Sequence, residues 1–172
     1  MTTFAAEVKG FDPSQYLDQK RIRRLDRFAQ FAVAATQEAL ENAHLAIERV
    51  DPTRVAAIVG SGVGGLITLS HQLGVLNEKG PSRVSPFLVP MMLPDMASGQ
   101  VSMLLGAKGP NYSAVSACSS GADTLGLAFE AVRRGDVDVV LAGGSEAAIC
   151  PIGVAGFSSC KALSTRNDDP EK

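Results

Sequence analysis

Apolar and small residues recur every three or four positions from Leu25 to Ala43, and Phe28, Phe31, Ala35, Ala39 and Ala43 share a stripe of the helix this spacing predicts. Upstream, Gln15 to Arg24 is polar and basic. The pattern then changes period. "VAAIVG", Val55 to Gly60, is apolar throughout and partly β-branched, as a strand covered on both faces requires. "GSGVGG" turns the chain into "LITLSHQLGVLNEKG", which reads as a helix up to the turn from Asn77 to Gly80. In "PSRVSPFLVPMMLP" each proline lacks a donor and restricts the residue before it, so a loop is expected. A helix from Asp95 to Leu105, a strand from Tyr112 to Ser116, a helix from Ser119 to Arg134 and a strand from Val137 to Gly144 follow. Gly135 is the stop between the last two. Strands alternating with helices predict an α/β layered fold with largely parallel, buried strands.

Composition and charge narrow the function classes. The 172 residues are 45% hydrophobic and 20% charged, which suits about one globular domain. The formal net charge is −2, so nothing in the balance favours nucleic acid or an anionic membrane. The longest apolar stretch, "VSPFLVPMMLP", is short and carries three prolines, and "MTTFAAEVKG" lacks the basic and apolar regions of a signal peptide. A cytoplasmic protein is expected. Three cysteines, Cys118, Cys150 and Cys160, lack CxxC spacing, and the two histidines are His44 and His71. No disulfide framework, metal site or cofactor is expected.

Chemistry enters at "SACSSGADTLGLAFEAV", where Cys118 stands at the seam between an extended run and a helix. Its neighbours are all Ser, Ala or Gly, so a substrate carbonyl could approach the sulfur closely. First-turn N–H groups and the helix dipole would favour a nucleophilic sulfur. The N–H of Cys118 itself could serve an oxyanion. A cysteine in such a protein is also commonly a small buried hydrophobe, and the residues alone leave both readings open. Behind it, Leu125, Phe129 and Val132 recur at helical spacing.

With "GSGVGG" before it and "VVLAGGSEAA" and "GVAGFSSCKALSTRNDDP" after it, "SACSSGADTLG" resembles the N-terminal half of the β-ketoacyl-acyl-carrier-protein synthases, most similar to type II. The resemblance implies a thiolase-like layered α/β fold with a mixed, largely parallel sheet flanked by helices. Residues 1–172 would then be an N-terminal ketosynthase domain, an internal fragment lacking the opening strand and the C-terminal half. Cys118 would be the acyl-accepting nucleophile of a decarboxylative Claisen condensation in fatty acid biosynthesis. Two histidines and a lysine of the other half would support the later steps. His44 and His71 fall in no catalytic motif of the family, and Cys150 and Cys160 are expected as packing residues.

The same resemblance implies that Val63 lines the acyl pocket and that Leu88 reaches into the pocket of a partner subunit. Ordinary core roles for both remain open. A homodimer pairing the strand Tyr112 to Ser116 across a twofold axis is implied, and acyl carrier protein is the expected partner. Lys20, Arg23, Arg24 and Arg83 match the family's carrier-docking patch. If Lys20 to Arg27 is one helix, Lys20, Arg23, Arg24 and Arg27 share an arc of roughly 100°.

Three alternatives stand beside this reading. One is a polyketide ketosynthase, and another is a non-catalytic ketosynthase-like subunit, against which the retained Cys118 argues. The third is a nucleotide-binding α/β domain, because "GSGVGG" fits GxGxxG between a strand and a helix. Its companion acidic residue is missing, since Glu78 sits in the turn "NEKG" with no strand before it.

Overall fold

In the computed structural model, which describes residues 1–171, β1 (Val55–Gly60) is buried at every position and forms the middle of a three-stranded sheet. Its neighbours β2 (Asn111–Tyr112) and β3 (Val139–Gly144) both run parallel to it, in the order β2-β1-β3. Val55 stands opposite Val139 and Ala57 opposite Asn111. The described strands are therefore all parallel, and no antiparallel member is among them.

The strand expected from Tyr112 to Ser116 is shorter, and only Asn111–Tyr112 pairs. The physical reason is a hydroxyl. Ala57 N–H donates to the Pro110 carbonyl at 3.1 Å, but at the next rung the buried Ser98 Oγ accepts from Val59 N–H at 2.7 Å and lies 2.8 Å from the Tyr112 carbonyl. The side chain has entered the ladder, and the chain leaves it.

Two helices differ from the sequence expectation. α1 (Gln19–Ile22) is a single turn, and α2 (Arg27–Ala43) starts afresh at the Asp26 N-cap, whose carboxylate accepts from Phe28 N–H at 3.3 Å and Thr68 N–H at 2.8 Å. Lys20 to Arg27 is thus not one helix. On α2 the buried stripe is Phe28, Ala29, Ala32, Val33 and Thr36, while Ala35, Ala39 and Ala43 are exposed. Successive steps of four residues advance about 400°, so they wind off any fixed face.

α3 (Leu66–Lys79) follows the glycine loop. The proline-rich segment is not a plain loop, for Pro81–Arg83 is a 3-10 turn and α4 (Leu88–Met92) is a short helix. Pro90 is tolerated because it lies in the first turn, where an N–H has no helical acceptor. α5 (Met96–Leu105), α6 (Ser120–Arg133) and α7 (Pro151–Ser159) complete the set. Among the described residues no helix is long and apolar enough to cross a membrane.

Alternation along β1 sorts these helices onto two layers. Ala57 and Val59 pack with Phe28 and Val33 of α2 and Ala97 and Val101 of α5. Ala56 faces the other way, onto Ala131 of α6, Val137 and Val140. The buried side of α6 is Ser120, Thr124, Ala128 and Ala131. Its apolar stripe points outward instead, with Leu125, Phe129 and Val132 at 57%, 65% and 46% exposure.

Candidate active site

β1 delivers its end to the start of α6 at unusually close range. A Cβ at Gly60 would lie 2.6 Å from the Ser120 carbonyl oxygen, so only glycine permits the approach. Just before α6 the chain makes a 3-10 turn, Ala117–Ser119. Ala117 has φ +54°, a left-handed conformation that alanine rarely adopts. Ser120 fixes it, because its Oγ donates to the Ala117 carbonyl at 2.8 Å and accepts from Ser116 N–H at 3.0 Å. Cys118 leaves this turn exposed and outside any disulfide.

The thiol opens on a cleft of about 720 Å³, lined by Gly62, Val63, Ala117, Leu125, Ala148 and Phe157 among others. Leu125 and Phe157 give it an apolar wall, and the backbone around the sulfur carries only small side chains. α6 is held to β3 by Thr124, whose Oγ1 lies 2.7 Å from the Gly143 carbonyl. Ser145 N–H donates to Gly60 O at 2.9 Å and its hydroxyl to Phe28 O at 2.6 Å, so the strand ends that frame the cleft are tied together.

A carboxylate that sequence reasoning missed also lines this cleft. Glu146 Oε2 accepts from Gly62 N–H at 2.7 Å and Val63 N–H at 3.2 Å, and its Oε1 accepts from the Ser61 hydroxyl at 3.1 Å. The chain's own anion therefore occupies the donors that a dinucleotide phosphate would need, which argues against the nucleotide-binding reading. Only the position of Glu146, two residues after the glycines that end β3, could have flagged it in "GGSEAA".

Of the residues expected at the site, Cys118 and Val63 share the cleft. Leu88 does not line it; it is half-buried at the first position of α4. Lys20, Arg23 and Arg24 line a separate shallow depression with Phe87, whose ring lies 4.4 Å from the Arg24 guanidinium. Arg83 is exposed in the 3-10 turn preceding Phe87. Arg27 is turned elsewhere, over Phe31 at 4.9 Å and donating to the Val8 carbonyl at 2.8 Å. His44 is the left-handed C-cap of α2, and His71 lies on α3 beside Gln72; neither lines the cleft. Cys150 is half-buried before α7, whereas Cys160 is exposed and donates its S–H to Phe157 O, so it is not the packing residue expected. Among the described residues no cluster of three or more His, Cys, Asp or Glu side chains could hold a metal ion.

The whole chain, residues 1–172, matches the family model described as beta-ketoacyl synthase, N-terminal domain. The chain belongs to the β-ketoacyl synthase family. It is 48% identical over 167 residues to 3-oxoacyl-[acyl-carrier-protein] synthase 2 of Synechocystis, an alignment covering 97% of this chain and 40% of that protein. The synthase of the same name from Staphylococcus aureus is 49% identical, with 97% and 41% covered. The chain thus spans about two fifths of the length of these curated relatives. Among solved structures, a ketosynthase of the AntDE:AntF complex, determined with its type II polyketide acyl-carrier protein, superposes with TM-score 0.83 at 25% identity, covering 91% of this chain and 45% of that one. The thiolase-like α/β fold expected from the sequence is the fold found. Within the β-ketoacyl synthase fold, the elbow at Ala117 and the glycine loop meet at the thiol.

Proposed function

We propose that this chain is the nucleophile-bearing N-terminal part of a 3-oxoacyl-[acyl-carrier-protein] synthase of fatty acid biosynthesis. The observation that carries the reading is the exposed Cys118 on a strained turn, opening on an apolar cleft walled by Val63. The Cys118 sulfur attacks the carbonyl carbon of a carrier-bound acyl thioester, the bond to the carrier sulfur breaks, and the carrier thiol leaves with the proton. Condensation with a decarboxylated malonyl unit needs further acid, base and charge-stabilising groups. Neither histidine of this chain lines the cleft, so those groups come from the remainder of the synthase. A fatty-acid rather than a polyketide role is supported by identities of 48% and 49% to synthase 2 relatives, against 25% to the polyketide ketosynthase.

Acyl carrier protein is the partner in this proposal, and Lys20, Arg23, Arg24 and Arg83 receive its acidic surface. The grouping of the first three around one depression, with Arg83 in the turn leading to its Phe87, supports that assignment. The synthase is proposed to be a cytoplasmic homodimer in which Leu88 reaches the partner's pocket. The partly exposed Tyr112 and Val115, beside a β2 that pairs only with β1 among the described strands, support pairing there.

The test is acyl transfer from acyl-acyl-carrier protein to the purified chain, followed by intact mass and peptide mapping. An acyl adduct on Cys118, absent from Cys118→Ser and weakened by added salt, is expected, with no ketoacyl product. Transfer to Cys160 or Cys150, or none at all, would overturn the reading.

A further inference from the structure

We infer that Glu146 is a positioning residue that holds the glycine loop as a wall of the Cys118 cleft and braces the turn bearing the thiol. The inference rests on the reading of Cys118 as acyl acceptor. Three donors converge on this one carboxylate: the N–H groups of Gly62 and Val63 at 2.7 and 3.2 Å, and the Ser61 hydroxyl at 3.1 Å. Ser61 Oγ in turn accepts from Gly64 N–H at 3.0 Å. The loop's N–H groups from 62 to 64 are therefore bound to Glu146 directly or through one hydroxyl. These hydrogen bonds tie the segment just after β3 to the end of β1.

The contact continues to the elbow. A Cβ built on Gly62 would lie 2.9 Å from Glu146 Oε2 and 3.3 Å from the Ala117 carbonyl oxygen. Gly62 is thus sandwiched between the carboxylate and the residue that precedes Cys118. Ala117 is the left-handed residue of the turn, and such a conformation persists only where its surroundings over-determine it. Ser120 restrains the Ala117 carbonyl from one side and the glycine loop packs on it from another. With both oxygens engaged as acceptors, Glu146 acts through the loop. Its loss alters the shape of the cleft beside Val63 more than the exposure of the thiol.

Purified chains carrying Glu146→Ala and Glu146→Gln test this. Amide hydrogen exchange of the segment from Gly62 to Gly64 is expected to rise at least tenfold in the alanine variant. It should stay within threefold of the parent in the glutamine variant, whose carboxamide oxygen still accepts. In parallel, Cys118 is alkylated with N-dodecyl iodoacetamide and with iodoacetamide, and the ratio of the two rates is read by peptide mapping. That ratio is expected to change at least threefold in Glu146→Ala and to be restored in Glu146→Gln. Unchanged exchange in the alanine variant overturns the inference whatever Cys118 does. Faster exchange with an unchanged ratio overturns the link to the thiol, and equal losses in both variants overturn the acceptor role. If the alanine variant does not fold, Glu146→Asp, which keeps the charge but withdraws it by one methylene, is read in the same way. A parent chain whose Cys118 shows no preference for the long-chain reagent sinks the acyl-acceptor reading, and the exchange arm then decides the hold of Glu146 on the loop.

Discussion

On the α2 and α5 side of the sheet, Phe28, Val33 and Val101 are sealed against Ala57 and Val59, whereas on the other side α6 meets the sheet with little more than alanine, serine and threonine. The first layer is an ordinary apolar core built from large side chains. The second is a close-approach interface, in which a Cβ on Gly144 of β3 would meet the Gly121 Cα of α6 at 2.9 Å and one on Gly121 would meet Gly144 at 3.3 Å. Its small residues draw the helix onto the strand and set the turn with Cys118 at the strand ends. The larger side chains Leu125, Phe129 and Val132 are left facing outward. Stability and chemistry are thereby assigned to opposite faces of one sheet.

The sharpest way to break this comparison is to truncate one phenylalanine on each side. Phe28→Ala should cost about 3–5 kcal/mol, through lost transfer energy and the cavity left behind. Phe129→Ala, at 65% exposure, should stay within about 0.5 kcal/mol. Urea unfolding of both variants measures the difference, and a loss above about 2 kcal/mol for Phe129→Ala would mean that the outer stripe of α6 is covered in solution.

A smaller effect probes the tight interface itself. A Cβ at Gly144 would stand 2.9 Å from the Gly121 Cα, so Gly144→Ala must push α6 off β3, at about 1–3 kcal/mol. Because α6 carries the turn with Cys118, the iodoacetamide rate at that thiol should change at least about twofold, whereas truncating Val33 in the other layer should leave the rate of the folded fraction unchanged. An unaltered rate in Gly144→Ala would show that the elbow does not depend on this contact.

The smallest effect belongs to neither face. At the starts of β1 and β3, Arg54 pairs with both Asp138 oxygens, at 2.6 and 3.0 Å, and this hydrogen bonding holds the Asp138 carboxyl below its ordinary value. A lowered folded value contributes stability above the unfolded value of about 4, lost as pH falls through the folded one. The stability curves of the parent and Asp138→Asn should therefore differ at pH 7 and converge in acid, by a small amount because the pair is exposed. Parallel curves down to the lowest pH would remove the assignment.

What the sequence disclosed divides along the same line. "VAAIVG" was legible as a buried strand because six apolar positions admit no exposed face. α6 and its Gly135 stop were legible from spacing and a C-terminal glycine. Spacing identifies a stripe without saying which way it faces, and on α6 the small residues, not Leu125 and Phe129, meet the sheet. The basic run at Lys20 to Arg27 was broken by Asp26, whose N-cap role depends on a distant N–H at Thr68 as well as a local one. Cys118 could be nominated from local text and Val63 from the family resemblance, but Glu146 from neither. Its role is set by hydrogen bonds reaching 83 to 85 residues back along the chain, which no local pattern encodes.

The two extremities of the chain are stitched to one another. Thr2 hydroxyl donates to the Ser164 carbonyl at 2.6 Å, Thr3 N–H to Asn167 Oδ1 at 2.9 Å, and the Asn167 amide to the Met1 carbonyl at 3.0 Å. These bonds close rings of 162 to 166 residues, and drawing together the ends of so long a free chain costs on the order of 4.5 kcal/mol of entropy. Thr2 N–H adds a fourth bond, to Ser158 Oγ at 3.4 Å, and at about 1 kcal/mol net each the four are comparable with that cost. Once the sheet holds the two segments near one another most of that entropy has already been lost, so the stitch adds its bonds to a ring that is nearly closed and ties the two segments together.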